Sequence, residues 1–183
     1  YCLPDKSKCH VGLEEGILGE YLTDRLTEEA VSFIKSHSEG PFFLHLSHHA
    51  VHTVLQAPDS LINKYRNKTP GKYHKNPIYA AMIEKLDDSV GRICQVIKTL
   101  GIADRTIVIF YSDNGGSEPV TDNYPLNGGK GMPYEGGSRV PLIIRWTGKI
   151  EGGIRSSVPI TGVDFYPTFV TLAQGKIPAN LDG

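Results

Sequence analysis

The run Thr106-Ile107-Val108-Ile109-Phe110-Tyr111-Ser112 is apolar or hydroxylated throughout and carries no charge. β-Branched and aromatic side chains favour a pleated backbone, and a continuous apolar run is the pattern of a strand covered on both faces. Such a strand needs helices over it, and the flanking sequence supplies them. Pro77 stands at a first helical turn, and Ile78, Met82, Leu86, Ile93, Ile97 and Leu100 trace one stripe, interrupted between Leu86 and Ile93, until Gly101. Leu22, Leu26, Ala30, Phe33 and Ile34 recur at helical spacing within 20–38, and Gly40-Pro41 ends that helix. Phe42-Phe43-Leu44-His45-Leu46-Ser47 suits a short buried strand. Val140-Pro141-Leu142-Ile143-Ile144-Arg145-Trp146 suits another, with Pro141 near its start, where a ladder donor can be spared. A short strand over 158–161 and a helix over 164–174 complete the order. Between them, 113–138 is glycine-rich and forms a long irregular loop of the kind that is usually functional or disordered. This order predicts an α/β fold, with helices layered on a largely parallel sheet.

Composition narrows the function. The 183 residues carry 19 Lys+Arg and 20 Asp+Glu, with 39% hydrophobic and 21% charged residues, which excludes membrane-spanning, coiled-coil, collagenous and disordered chains. A net charge of -1 gives no electrostatic footprint for nucleic acid, so an anionic ligand must be held by a local site. Cys2, Cys9 and Cys94 are too few for a disulfide scaffold and too widely spaced for a four-ligand zinc site. Cys2 and Cys9 could close one small loop, and Cys94 suits a small buried hydrophobe. The chain starts at Tyr1 and ends in the turn-rich Ile177-Pro178-Ala179-Asn180-Leu181-Asp182-Gly183, so both ends read as cuts through a single partial domain spanning 1–183.

In open α/β sheets, ligands bind beyond the carboxyl ends of strands. One strand exit here delivers His48, His49 and His52; another delivers Asp113-Asn114-Gly115-Gly116. Asp113 and Asn114 pair a charged with a neutral oxygen donor, which suits a hard cation, although Asp-Asn-Gly is also a turn former. His52 alone equally fits a hydrogen-bonded loop histidine, and Lys130 a solvated charge. Gly128-Gly129-Lys130-Gly131 is not a P-loop, because no Ser or Thr follows the lysine. A cation, a lysine and a histidine converging at strand ends would suit an oxyanion.

Taken together, Pro41-Phe42-Phe43-Leu44-His45-Leu46-Ser47-His48-His49-Ala50-Val51-His52-Thr53, Tyr111-Ser112-Asp113-Asn114-Gly115-Gly116 and Gly128-Gly129-Lys130-Gly131-Met132-Pro133-Tyr134-Glu135-Gly136-Gly137-Ser138-Arg139-Val140-Pro141 closely resemble the type I, formylglycine-dependent sulfatases. Tyr21-Leu22-Thr23-Asp24 and Val163-Asp164-Phe165-Tyr166-Pro167-Thr168 also resemble family segments, in the family's order. The resemblance implies part of an alkaline-phosphatase-like, mixed and largely parallel sheet flanked by helices. It implies Asp113 and Asn114 as ligands of one Ca²⁺, rather than Mg²⁺. Lys130 would contact the sulfate and the leaving oxygen, and His52 would bind sulfate and help protonate the departing alcohol. Glycines 115 and 116 would permit the turn after Asn114, and Arg139 with Glu135 would order the loop carrying Lys130. Val54 stands where the family has proline, and Asn127 where many members carry arginine.

The family nucleophile is a Cys or Ser in Cys/Ser-x-Pro-x-Arg, converted to formylglycine, and none of the three cysteines begins that motif. The paired aspartates of the family's first strand and the family's upstream Lys-x-His segment are expected to be missing too; Asp87-Asp88 falls mid-helix. The expected function is therefore that of a sulfatase fragment, supplying calcium- and sulfate-binding residues for hydrolysis of a sulfate monoester and inactive by itself, with the nucleophile segment and a small C-terminal domain absent. The ester would be a sulfated carbohydrate or an aryl sulfate, and the family's compartments are periplasmic, secreted or lysosomal. Uncovered sheet edges would favour self-association of the fragment. A phosphodiesterase or phosphonate hydrolase of the same superfamily is the nearest rival, but those carry Asp-His where this chain has Asp113-Asn114. The other rival is a non-catalytic, sulfate-binding or degenerate fragment.

Overall fold

The computed structural model describes Gly16 and residues 19–182. The expected Cys2–Cys9 loop lies outside them. Helices α1 (Leu22–Ser36), α2 (Asp59–Arg66) and α3 (Pro77–Thr99) form one layer, with α3 packed against both others. The buried face of α1 is Thr23, Thr27, Ala30, Val31 and Ile34, a single stripe at helical spacing. Its start is displaced from the expected one: Leu22 and Leu26 are half-buried, and the adjacent threonines are buried. Thr27 can be buried because its hydroxyl bonds to the Thr23 carbonyl at 2.6 Å.

Helix α3 starts where expected, with Pro77 in its first turn. The Asn76 side-chain oxygen accepts from the N–H groups of Ile78 (3.0 Å) and Tyr79 (3.1 Å). Gly101, at φ +69°, turns the chain out of the helix and delivers Ile102 to the core. Ile34, Ile97 and Ile102 form that core, and Phe42, Leu44 and Val108 pack on it. Ion pairs Lys85–Asp24 (2.6 Å) and Arg92–Glu28 (2.7 Å) border the α1–α3 seam, and Lys64–Glu84 (2.6 Å) the α2–α3 seam. Solvated pairs of this kind contribute little to stability. Cys94 is free and half-buried.

Strands β1 (Val108–Tyr111) and β2 (Leu142–Arg145) form an antiparallel ladder, with Val108 opposite Arg145 and Tyr111 opposite Leu142. The α/β layering is as expected, and the one ladder among the described residues is antiparallel. Parallel neighbours need a crossover, usually helical, whereas the segment between β1 and β2 holds only the one-turn helix α4 (Glu135–Ser138). Residues 42–47 are extended, with Phe42, Leu44 and Leu46 half-buried and Phe43 71% exposed, so burial alternates as in a strand. They join no ladder among the described residues. Strand β1 is itself half-buried instead of covered on both faces.

Residues 151–183 form a second compact unit. Its helix α5 (Phe165–Leu172) follows a 3₁₀ turn at Gly162–Asp164. Thr161 caps that turn, its N–H donating to Asp164 Oδ2 at 2.6 Å. The strand expected over 158–161 is absent from the described ladders. No helix of the described residues is long and apolar enough to cross a membrane.

Candidate active site

Asp113 and Asn114 follow β1 by two and three residues, so a strand end sets their position. The Ser112 hydroxyl donates to the Asn114 carbonyl at 3.0 Å, which pins the turn. Asn114 Nδ2 donates to the Gly115 carbonyl at 3.0 Å, leaving the amide Oδ1 for a ligand. The Asp113 carboxylate is exposed, and no hydrogen bond or ion pair engages it among the described residues. One carboxylate and one amide oxygen fit a hard cation as a partial shell. Among the described residues no group of three or more His, Cys, Asp or Glu could hold a metal, so Asp113 and Asn114 supply two of the six to eight oxygens that such a cation takes.

The glycines beyond Asn114 serve close approach. Neither Gly115 nor Gly116 has a positive φ; Gly115 lets two backbone segments touch, and Gly116 leaves room for the side chains of Thr121 and Asn123. The Gly115 N–H donates to Gly137 O (2.9 Å), Lys130 N–H to Gly116 O (3.0 Å) and Gly136 N–H to Asn127 O (2.8 Å). A Cβ on Gly115 would lie 1.7 Å from Gly136 O, and one on Gly136 would lie 2.0 Å from Gly128 O. This backbone clasp joins the segment bearing Asp113 and Asn114 to the loop bearing Lys130. Asn123 completes it: its Oδ1 accepts from Gly116 N–H (2.9 Å), and its Nδ2 donates to Gly116 O (3.0 Å) and Gly128 O (3.1 Å). Sequence reading missed Asn123, because an asparagine in a glycine-rich loop looks like any turn residue. Arg139 and Glu135 do pair, at 3.3 Å, on the exposed side of α4. Lys130 is exposed, and no hydrogen bond or ion pair engages its ammonium among the described residues.

His52 sits on a different loop, with its ring exposed. Its Nδ1 lies 2.8 Å from the Thr53 carbonyl, which can only accept, so Nδ1 carries the proton and Nε2 is the nitrogen left for chemistry. The ring also meets His49 edge-on at 5.4 Å between centroids. No hydrogen bond, ion pair or ring contact joins His52 to Asp113, Asn114 or Lys130 among the described residues. Thus the structure brings three of the four expected residues into one clasped unit and places the fourth on its own anchored loop.

Comparison with known proteins shows the family of the chain. The family model described as Sulfatase matches residues 3–176. The chain belongs to the sulfatase family. This sulfatase chain is 40% identical over 172 residues to a sulfatase of Formosa agariphila, covering 87% of the chain and 31% of that relative. It is 34% identical over 173 residues to the human steryl-sulfatase, covering 88% of the chain and 28% of the relative. Among solved structures it superposes on Ps i-CgsB, solved in complex with k-i-k-neocarrahexaose, with a TM-score of 0.82 and 39% identity over 90% of this chain and 37% of that one. For the PsFucS1 sulfatase from Pseudoalteromonas sp. the values are 0.71, 32%, 87% and 32%. The fold is therefore the alkaline-phosphatase-like α/β fold of the sulfatases, and the chain spans about a third of the length of these relatives.

Proposed function

We propose that this sulfatase chain contributes the calcium-ligating and sulfate-binding part of an active site that hydrolyses a sulfate monoester to an alcohol and sulfate. The observation that carries this reading is the backbone clasp, which ties an unengaged carboxylate, Asp113, to an unengaged ammonium, Lys130, at a strand end. In this reading Asp113 and Asn114 hold Ca²⁺, which when bound would draw charge from the sulfate oxygens. Lys130 binds a sulfate oxygen and offsets charge growing on the leaving oxygen. His52, with its proton fixed on Nδ1, presents Nε2 toward an oxyanion; protonated there, it hands a proton to the departing alcohol. Cys/Ser-x-Pro-x-Arg occurs nowhere in the 183 residues, so none of these side chains is assigned the nucleophile's role. The likeness to the i-CgsB chain solved with k-i-k-neocarrahexaose supports a sulfated carbohydrate over an aryl sulfate as the natural ester.

The test is hydrolysis of 4-nitrophenyl sulfate, of the matching phosphate and of a sulfated oligosaccharide by the intact protein. Sulfate ester turnover that falls about 100-fold or more in Lys130→Ala is the expected result, since loss of one oxyanion donor costs about 10²–10³. Preference for the phosphate ester would turn the reading to phosphoryl transfer, and turnover indifferent to Lys130 would overturn the assignment of that residue.

A further inference from the structure

The one buried side-chain nitrogen or oxygen without a partner among the described residues is Nδ1 of His48, four residues before His52. Its other nitrogen, Nε2, lies 3.0 Å from the hydroxyl of Ser89 on α3, and Ser89 Oγ lies 2.7 Å from Thr27 Oγ1 on α1. Ser89 and Thr27 are 2% and 1% exposed. This contact explains the interruption in the α3 stripe between Leu86 and Ile93: a serine replaces an apolar residue where three elements meet through polar atoms.

The direction of the hydrogen bonds follows from what each group can do. The Thr23 carbonyl only accepts, so Thr27 donates to it at 2.6 Å. Ser89 then donates to Thr27, and His48 must donate to Ser89 from Nε2–H. Every proton in the row is used, and the atom left over is an unprotonated Nδ1. That is the cheaper atom to strand, because a buried N–H without an acceptor is rarer than an under-used acceptor. Burial also lowers the His48 pKa below its ordinary value, which agrees with a neutral ring.

The far end of the same loop is tied as well. Tyr21, at the N-terminus of α1, donates its hydroxyl to the Gln56 carbonyl at 2.9 Å. Between these ties, His52 N–H donates to His49 O at 2.9 Å. The His52 side chain itself hydrogen-bonds only to Thr53, so its place is set by the loop.

We infer that His48, held by Ser89 and Thr27, is a positioning residue that fixes the loop carrying His52 and thereby the direction of the His52 ring. The inference rests on the proposed function, since the ring is positioned for that reaction. An error of about 1 Å in such a group can cost about 100-fold in rate, and loss of a supporting hydrogen-bond partner typically costs about 10- to 100-fold.

The experiment uses the intact protein with 4-nitrophenyl sulfate. Gln can donate to Ser89 from its terminal amide but cannot take up a proton; Leu fills the space and donates nothing. His48→Leu and Ser89→Ala should each lower kcat about 10- to 100-fold with KM within about twofold, while His48→Gln should recover to within about threefold of wild type. Thermal melts identify variants that fail to fold. A folded His48→Leu with wild-type kcat, or a folded His48→Gln as slow as His48→Leu, would overturn the inference. Absence of hydrolysis by the wild type would instead refute the functional reading, and a second measurement then decides. Long-range ¹H–¹⁵N spectra should show His48 as the Nε2–H tautomer at neutral pH and His52 signals that move in Ser89→Ala; an Nδ1–H tautomer or unmoved His52 signals would refute the positioning role.

Discussion

Replacing Gly115 by alanine tests the backbone clasp most directly. The new Cβ would lie 1.7 Å from Gly136 O, 2.7 Å from Gly136 C and 3.1 Å from Gly137 Cα, all rigid backbone atoms. Real Cβ atoms essentially never come within 3.0 Å, so the two segments must part by at least about 1.3 Å. That movement breaks the Gly115–Gly137 hydrogen bond of 2.9 Å and strains the Lys130–Gly116 and Gly136–Asn127 bonds beside it. At about 1 kcal/mol net for each bond, the expected loss is about 2–4 kcal/mol. Gly91→Ala is the control: Gly91 lies within α3 with nothing inside 4 Å of its would-be Cβ, so alanine should stabilise by about 0.5–1 kcal/mol. Urea unfolding of the intact protein at neutral pH measures both. Because the clasp also sets the Asp113–Lys130 relation, Gly115→Ala should lose sulfate ester turnover, and Gly91→Ala should keep it. A Gly115→Ala protein within about 0.5 kcal/mol of wild type would refute the reasoning, since the packing then yields without cost.

Asn123→Ala removes three hydrogen bonds at the neck of the same loop and should cost about 1–3 kcal/mol, read from the same unfolding curves. His48 makes stability depend on pH. Its folded pKa lies below the ordinary 6.5, so the unfolded chain binds the proton first as pH falls. Stability is therefore full above pH 6.5 and declines below it, by at most about 1.4 kcal/mol per pH unit, until the folded-state pKa is passed. Melting temperatures between pH 7.5 and 5 should show that slope reduced in His48→Gln. By calorimetry the 183 residues alone should bind calcium weakly, because Asp113 and Asn114 supply two of the six to eight oxygens it takes; tight stoichiometric binding would contradict the partial shell. They should also self-associate in light scattering through apolar surface such as Phe43, 71% exposed, and Ile143, 61% exposed, and a monodisperse monomer would speak against it.

Much of this fold is legible where one physical signal dominates. Pro77, the 3.6-residue stripe and Gly101 bound α3 within a residue or two, and the β-branched run marks β1. Helix α2 is not legible, since Ile62 is its one buried residue and the rest of Asp59–Arg66 is mostly polar. The segment 42–47 reads as a strand because it is a short apolar run after Gly40-Pro41, but a ladder also requires a partner backbone, which no such run records. The threonines of α1 and Ser89 of α3 are hidden for the opposite reason. Each is polar by composition and buried in fact, and the bond of Thr27 to the Thr23 carbonyl and the meeting of Thr27, Ser89 and His48 across three elements satisfy the Thr27 and Ser89 hydroxyls. The site divides the same way. Asp113, Asn114, Lys130 and His52 are visible as chemistry, whereas the purpose of Gly115 depends on the carbonyl of Gly136, and that of Gly136 on the carbonyls of Asn127 and Gly128, none of them a neighbour in the chain.

Asn123 latches onto both the N–H and the carbonyl of Gly116, closing residues 117–122 into a ring whose fastening lies at its base. Inside the ring, Val120 and Thr121 N–H groups donate to Ser117 O, so the tip holds its own shape. A ring fastened at the base can change its circumference without moving what hangs from the fastening. Lengthening it costs only about 0.6 kcal/mol for each doubling, since closure entropy grows with the logarithm of length. Thr121 is also held from outside the ring, its hydroxyl 3.1 Å from His74 Nδ1, so the graft point is 118–120, where residues can be exchanged or inserted to reshape the rim while Asp113 and Lys130 stay in register.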